Sequence, residues 1–187
     1  MNTFTQTLTK PRLSVKAQTL AALAAIVGAV VLPQIFHLLG AALGAGTGLG
    51  ETYLPMHLPI ILAGLLAGPY VGLIAGAMGP LVSFALSNMP GAVMLPFMMI
   101  ELGAYGFFAG LLSEAKMPVL IKLLLVQTAG RMVRALAMVI AVYGFGNELL
   151  NLAVIWTSVA KGLPGLCLQW VLIPLFMLLI GGRKANE

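Results

Sequence analysis

Residues 92–113 read AVMLPFMMIELGAYGFFAGLLS, and residues 120–143 read LIKLLLVQTAGRMVRALAMVIAVY. Each stretch is long and apolar enough to cross a membrane as a helix, since a span needs about 20 such residues. The first nevertheless carries Glu101, and the second carries Arg131 and Arg134. Charges at membrane depth are costly, so they normally face a protein interior or a water-filled cavity and mark a ligand or ion path. The two stretches therefore predict both a membrane fold and the place of its function.

The composition defines the class of protein. Hydrophobic residues make up 60% of the 187 residues and charged residues only 8%, and the mean hydropathy is +1.05. Such a chain is a polytopic membrane protein and not a soluble domain. The first apolar stretch follows basic residues but is longer than the core of a signal peptide, so it is predicted to remain as a helix.

Hydropathy and the Gly/Pro punctuation predict a single all-α membrane domain, residues 1–187, with six transmembrane segments. They are 15–39, 55–68, 70–87, 92–113, 120–143 and 153–181. The second is short for a full span, so we expect it to be tilted or partly re-entrant. The sixth is expected to break at Gly162-Leu163-Pro164-Gly165, with residues 150–161 forming a separate turn or short helix.

The distribution of Lys and Arg predicts which side of the membrane each end faces. With both termini inside, the inner regions contain Lys10, Arg12, Lys16, Lys116, Lys122, Arg183 and Lys184. The outer loops, at about 40–54, 88–91 and 144–152, contain no Lys or Arg. This asymmetry satisfies the positive-inside rule. It predicts cytoplasmic tails at 1–14 and 182–187.

The buried charges are predicted to form two layers. Counted from the outer helix ends, Glu101 and Arg134 both lie roughly 13 Å deep at 1.5 Å per residue, and Tyr105 and Arg131 lie about one turn deeper. Gln127 shares the helical face of the arginines, because positions i, i+3 and i+4 stack. Glu101 is expected to neutralise Arg131 or Arg134, to contact a ligand, or both. The arginine without a carboxylate partner is the better candidate for an anionic ligand group, since guanidinium binds carboxylates in a bidentate way.

Other polar residues are further candidates for ligand contact. His57, between two prolines at the outer boundary, either bonds to local backbone or contacts a ligand. Lys161, near the outer surface, either reaches lipid phosphate or closes over a ligand. Additional candidates for polar contacts are Asn88, Tyr105, Gln127 and Gln169. Met56 and Met89 are expected to line the mouth of the pocket.

Motifs for catalysis are missing from the sequence. There is neither Gly-x-Ser-x-Gly nor His-Glu-x-x-His, and only two histidines occur, which argues against an enzyme. The lone Cys167 excludes an internal disulfide and lacks metal-ligand spacing, so no metal or other cofactor is predicted. The two halves show no repeat symmetry of the kind found in self-sufficient transporters. Two alternatives stay open: a self-sufficient small transporter or channel, and a structural membrane subunit without ligand.

Small residues recur at every fourth position in two places. The first segment carries Ala17, Ala21, Ala25 and Ala29, and the next two carry Gly64, Gly68, Gly72 and Gly76. Such tracks let another helix approach closely. The glycines are expected to pack within the bundle, with a chain turn at Gly68-Pro69. For the alanines, packing within the bundle and contact with a partner protein are both open.

Several short motifs carry a family resemblance. In chain order they are Leu54-Pro55-Met56-His57-Leu58-Pro59, Leu66-Ala67-Gly68-Pro69-Tyr70-Val71-Gly72, Gly79-Pro80-Leu81-Val82-Ser83, Glu101-Leu102-Gly103-Ala104-Tyr105-Gly106, Gly130-Arg131 and Pro164-Gly165-Leu166-Cys167-Leu168-Gln169. In this order, on six segments with both ends inside, the chain resembles the substrate-binding S components of energy-coupling factor (ECF) vitamin transporters. The resemblance spans residues 15–181.

The resemblance implies a function and its partners. An S component is a six-helix protein without ATPase activity that captures a water-soluble vitamin or precursor at an outward-facing pocket. In the bacterial cytoplasmic membrane it associates with a transmembrane scaffold subunit and two cytoplasmic ATPases, and it is thought to topple to release its ligand. The family contacts the scaffold through an Ala-x-x-x-Ala pattern on helix one, which implies this role for Ala17, Ala21, Ala25 and Ala29. The loop after helix one, here 40–54, covers the pocket, and helices four to six form most of its walls.

The charges of the predicted pocket favour an acidic ligand. Arg131, Arg134 and Lys161 against Glu101 leave a net charge of up to +2. Pantothenate fits this charge. Cobalamin, a B6 vitamer or a pyrimidine precursor of thiamine are the alternatives within the resemblance.

Overall fold

The computed structural model describes residues 13–44, 46 and 48–184, and side chains only as far as residue 180. The helices are α1 (Val15–Ala42), α2 (Gly48–Tyr53), α3 (His57–Ala67), α4 (Pro69–Ser87), α5 (Leu95–Leu111), α6 (Val119–Val139) and α7 (Ala153–Lys184), and α6 continues as a short π-helix, Ile140–Gly144. No strand occurs in these ranges. Residues 1–12 and 185–187 of the predicted tails, including Lys10 and Arg12, and the side chains of Arg183 and Lys184 lie outside the described residues.

Each predicted transmembrane segment corresponds to a helix. Five helical stretches are long and apolar enough to cross a membrane: Val15–Ala42, Gly48–Ala67, Pro69–Ser87, Val119–Gly144 and Ala153–Ile180. The sixth, α5, is apolar but has only 17 residues. The prediction of an all-α membrane protein is confirmed.

The second segment is short, as expected, because α3 has only 11 residues. The outer loop before it contains α2, which packs on α1 and α7. A kink at Leu54, whose φ is +48°, joins α2 to α3. A positive φ is rare outside glycine, so neighbouring contacts must hold this conformation. The loop predicted to cover the pocket is therefore partly a packed helix.

The predicted break in the sixth segment is wrong. α7 runs without interruption from Ala153 to Lys184, with Pro164 inside it, so 150–161 do not form a separate turn or short helix. A proline removes one backbone hydrogen bond, and membrane helices tolerate this because neighbours satisfy the freed group. The adjacent glycines serve close packing. A Cβ on Gly165 would lie 2.6 Å from the carbonyl carbon of Tyr53, so only glycine lets the α2–α3 connection approach this face of α7.

Glycines also bring α4 and α5 into backbone contact, as the sequence predicted. A Cβ on Gly72 would overlap the backbone of Gly106, and a Cβ on Gly76 would overlap the backbone of Leu102. Gly68, with φ +105°, makes the predicted turn between α3 and α4. The resulting close crossing fixes α5, the helix that carries Glu101, in the middle of the bundle.

The alanine track of α1 packs partly inside the protein. Ala25 and Ala29 belong to a buried cluster with residues of α3, α4 and α5. The Cβ of Ala29 would lie 3.1 Å from a Cβ built on Gly79 of α4. Ala17 and Ala21 are only half-buried. In this conformation, the buried alanines contact the protein's own helices. A scaffold contact through this track stays a prediction.

Candidate functional site

A cavity of about 430 Å³ opens at the bundle end that the charge distribution assigns to the outside. Its wall draws on α1, α2, α3, α4, α5, α6 and α7 and on the connections α2–α3 and α4–α5. The lining residues are Pro33, His37, Gly50, Glu51, Leu54, Pro55, Met56, His57, Ser83, Met89, Pro90, Gly91, Met94, Met98, Glu101, Arg134, Val154, Thr157, Ser158 and Lys161. Met56 and Met89 line it as predicted. Small-molecule sites have this form: a mostly apolar concave surface with a few polar groups.

An ion pair forms part of the cavity wall. Arg134 Nη1 donates to Glu101 Oε2 over 2.8 Å, and the side chains are 14% and 2% exposed. The hydroxyl of Tyr105 donates to the other carboxylate oxygen over 3.3 Å. The open question of which arginine pairs with Glu101 is thereby answered: it is Arg134, the residue predicted at the same depth. α5 and α6 pack side by side, which brings the two side chains together.

Arg131 lies beside this pair without a carboxylate partner. It lines a small recess of about 20 Å³ together with Glu101, Arg134, Ala135, Ile155, Ser158 and Val159. The recess adjoins the main cavity, because Glu101, Arg134 and Ser158 line both. The Nε–H groups of both arginines are buried without a hydrogen-bond acceptor among the described residues. Arg131 therefore has no charged partner among the described residues.

His57 contributes a second set of unused hydrogen-bonding atoms. It is the first residue of α3, it is only 3% exposed, and its ring meets the ring of Tyr105 edge-on with centroids 5.0 Å apart. Neither ring nitrogen makes a hydrogen bond of normal geometry, although the Leu54 carbonyl lies near enough to interact with the ring. A neutral imidazole has one donor and one acceptor, so this residue can hydrogen-bond to a ligand in the cavity.

A second ion pair lies at the rim of the cavity. Lys161 Nζ on α7 is 3.2 Å from Glu51 Oε2 on α2, and the side chains are 64% and 56% exposed. The sequence predicted the rim position of Lys161 but not this partner. Exposed pairs of this kind contribute little free energy. The link between α2 and α7 is therefore easily broken.

Comparison with known proteins agrees with this geometry. The family model for the substrate-specific component of ECF transporters matches residues 15–177. The chain belongs to this family. The comparisons with curated proteins and with solved structures gave no match. As an S component, the chain is part of a transporter, and its family associates with an ECF scaffold and ATPase module and takes vitamin-type substrates.

Some predicted ligand residues of this S component lie elsewhere than in the cavity wall. Gln127 Nε2 donates to Gln169 Oε1 over 3.0 Å, and Trp170 Nε1 donates to Gln127 Oε1 over 2.7 Å. Gln169 also reaches the carbonyl of Leu54, over 3.5 Å. These buried amides satisfy one another and tie α6 and α7 to the Leu54 kink. Gln127 and Gln169 thus act as structural supports behind the site.

Tyr105 and Asn88 are also outside the wall. Tyr105 is fully buried and contacts Glu101 and His57 of the site. Asn88 is exposed at the end of α4, where its φ of +55° marks a left-handed cap. Asparagine tolerates this conformation better than most residues. Among the residues predicted to contact ligand, His57, Glu101, Arg134 and Lys161 line the cavity, and Arg131 lines its recess.

Sequence reasoning missed several lining residues of the S component. They include His37, Glu51, Ser83, Thr157 and Ser158. Ser83 is 1% exposed within an apolar helix, and a buried hydroxyl in such a segment was a usable signal. Glu51 lies in an outer loop, and His37, Thr157 and Ser158 lie near the outer ends of the first and sixth predicted segments, where polar residues are common, so only tertiary structure identifies them. The described part of the chain contains no cluster of three or more metal-ligating side chains.

Proposed function

We propose that this S component captures a small water-soluble vitamin or vitamin precursor at the 430 Å³ cavity. It then delivers the ligand by associating with a transmembrane scaffold subunit and two ATPases in a bacterial cytoplasmic membrane. The observation that carries the proposal is the set of polar groups in the cavity wall, Glu101, Arg134 and His57, at a depth where polar groups are costly without a function.

The cavity volume supports a small ligand. Sites for small molecules occupy about 300–1,000 Å³, and this cavity is near the lower end of that range. Pantothenate, a B6 vitamer and a pyrimidine precursor of thiamine are of suitable size. The corrin ring system of cobalamin is several times larger, so cobalamin is disfavoured.

The chemistry of the wall supports a ligand with both polar and apolar parts. Met56, Met89, Met94 and Met98 offer flexible, polarisable contact surface. His57 and the ion pair supply directional hydrogen bonds. A water-soluble ring or short chain with a few polar substituents satisfies both requirements.

The proposal includes partner subunits. The chain contains no Gly-x-x-x-x-Gly-Lys-Ser/Thr motif that would bind the phosphates of ATP. In the proposal, separate ATPases supply the energy for uptake. The scaffold contact is proposed on α1 at Ala17, Ala21, Ala25 and Ala29, and reaching the buried Ala25 and Ala29 requires α1 to move relative to α3 and α4.

The test is a thermal-shift screen of the purified protein against a vitamin panel, followed by calorimetry on each hit. A ligand at 100 times its Kd stabilises the protein by about 2.7 kcal/mol. His57→Asn is expected to weaken binding. Asn88→Gly is the matched control, because Asn88 is outside the cavity wall and glycine keeps the left-handed cap.

Two results would contradict the proposal. One is that no vitamin stabilises the protein. The other is that vesicles containing the protein alone accumulate a vitamin without the scaffold and the ATPases, which would identify a self-sufficient transporter.

A further inference from the structure

The charges around the cavity do not balance. Glu101 pairs with Arg134 and Glu51 pairs with Lys161. Arg131 has no carboxylate within ion-pair distance among the described residues. The site therefore has one cation more than it has anions. A charge at this depth is expensive unless something compensates it.

The surplus cation lies in a recess that restricts what can reach it. The recess is between α6 and α7 and measures about 20 Å³, which is room for about one water-sized group at a time. It shares three wall residues with the main cavity: Glu101, Arg134 and Ser158. The buried Nε–H groups of Arg131 and Arg134 are two hydrogen-bond donors without an acceptor.

A ligand that neutralises the unpaired positive charge of Arg131 must itself carry a negative charge. We infer that the ligand is a monoanion that places one carboxylate oxygen in the recess beside Arg131, while its uncharged body lies against His57 and the methionines of the main cavity. This inference rests on the proposed function, since it names the substrate class of the same site. A hydrogen bond between a guanidinium and a carboxylate oxygen is charge-assisted and therefore strong.

Charge and size both select a carboxylate over a phosphate. One unpaired cation is neutralised by one negative charge, whereas a phosphate ester carries close to two at neutral pH. A carboxylate group is planar and narrower than a tetrahedral phosphate, so it can bring one oxygen to a water-sized recess more readily. A neutral ligand leaves Arg131 uncompensated.

The experiment compares acids with neutral molecules of the same shape. The probes are pantothenate with panthenol, biotin with biotinamide, and pyridoxate with pyridoxine, and pyridoxal phosphate serves as a dianion. Affinities are measured by calorimetry at one pH for the parent protein and for Arg131→Gln, Arg131→Lys and Lys116→Gln. Lys116 is exposed and outside the site, so its variant controls for loss of one positive charge. Arg131 makes no ion pair, so Arg131→Gln is expected to fold, and melting without ligand checks this.

The expected result is that one acid binds the parent protein about 10–100-fold more tightly than its neutral counterpart, the range for a charge-assisted hydrogen bond. Arg131→Gln should abolish this difference, Arg131→Lys should retain part of it, and Lys116→Gln should leave it unchanged. A neutral probe or the dianion binding as tightly as any acid overturns the inference but keeps the proposed function. An acid preference that persists in Arg131→Gln also overturns the inference. If no probe binds, the inference fails, and the vitamin panel of the thermal-shift screen decides the proposed function separately.

Discussion

The ion pair between Glu101 and Arg134 provides the sharpest test of the structure. Replacing Glu101 with Gln removes one negative charge and keeps a side-chain oxygen that can accept from Tyr105. Arg134 then lies beside Arg131 at membrane depth with no anion nearby. The change isolates the charge, because shape and hydrogen bonding are largely preserved.

The expected loss follows from burial. Breaking a buried ion pair by removing one partner costs about 3–5 kcal/mol. Arg134 is 14% exposed and the cavity admits water, so we expect the free energy of unfolding to fall by about 2–4 kcal/mol. For a chain of this length, that corresponds to a decrease in Tm of about 5–15 °C. Equilibrium unfolding in mixed detergent micelles measures the free energy directly.

The rim pair supplies a matched control. Glu51→Gln makes the same substitution in a pair whose side chains are 64% and 56% exposed, so the expected loss is less than about 1 kcal/mol. Equal losses in Glu51→Gln and Glu101→Gln would refute the distinction between a buried and an exposed pair. The double variant Glu101→Gln/Arg134→Gln adds a second criterion, since paired residues should couple by at least about 1 kcal/mol.

Three further predictions concern packing. Gly106→Ala should lower the free energy of unfolding by about 1–3 kcal/mol, because its Cβ would overlap backbone of α4, whereas Gly91→Ala, which points into open space, should change it little. Gln169→Leu should cost about 1–3 kcal/mol and alter the fluorescence of Trp170, whose indole donates into the same network. Ala29→Leu should destabilise the protein by about 1–3 kcal/mol, because Ala29 is fully buried. Thermal melting measures the stability of all three variants.

Each of these predictions has a result that contradicts it. Equal stability of Gly106→Ala and Gly91→Ala would mean that α4 and α5 do not cross in backbone contact. Unchanged Trp170 emission in Gln169→Leu would disprove the amide network. A stable Ala29→Leu protein that loses only scaffold binding would show that the alanine track faces a partner and not the bundle interior.

The helices were predictable from the sequence because long apolar runs between Gly/Pro turns can only form membrane-spanning helices in a bilayer. The prediction failed at Gly162-Leu163-Pro164-Gly165, where residue types that end helices in water serve another purpose. There, Gly165 makes room for the backbone at Tyr53, and Pro164 is tolerated inside a membrane helix. Local sequence does not encode which other segment approaches a glycine.

The charged part of the site was predictable, and its polar part was not. Counting residues from the outer ends of two neighbouring helices predicted that Glu101 and Arg134 lie at the same depth, and the two side chains form an ion pair in the structure. Gln127 and Gln169 have the same chemistry as ligand-binding amides, yet they bind each other because α6 and α7 bring them within 3.0 Å. Whether a buried amide binds ligand or protein depends on tertiary distances, which no pattern in either helix specifies.

The unequal lengths of the helices have a consequence for the surrounding lipid. At 1.5 Å per residue, α5 is about 26 Å long and α7 about 48 Å, whereas the hydrocarbon layer is about 30 Å thick. The bilayer must thin where α5 meets lipid, and α7 must tilt or emerge from it, each at a fraction of a kcal/mol per Å of mismatch. Mismatch of this kind is expected to deform the bilayer around the subunit before any partner binds. In the toppling motion that the family resemblance implies, this elastic strain would be redistributed, so the acyl-chain length of the host membrane would set how much work the motion requires.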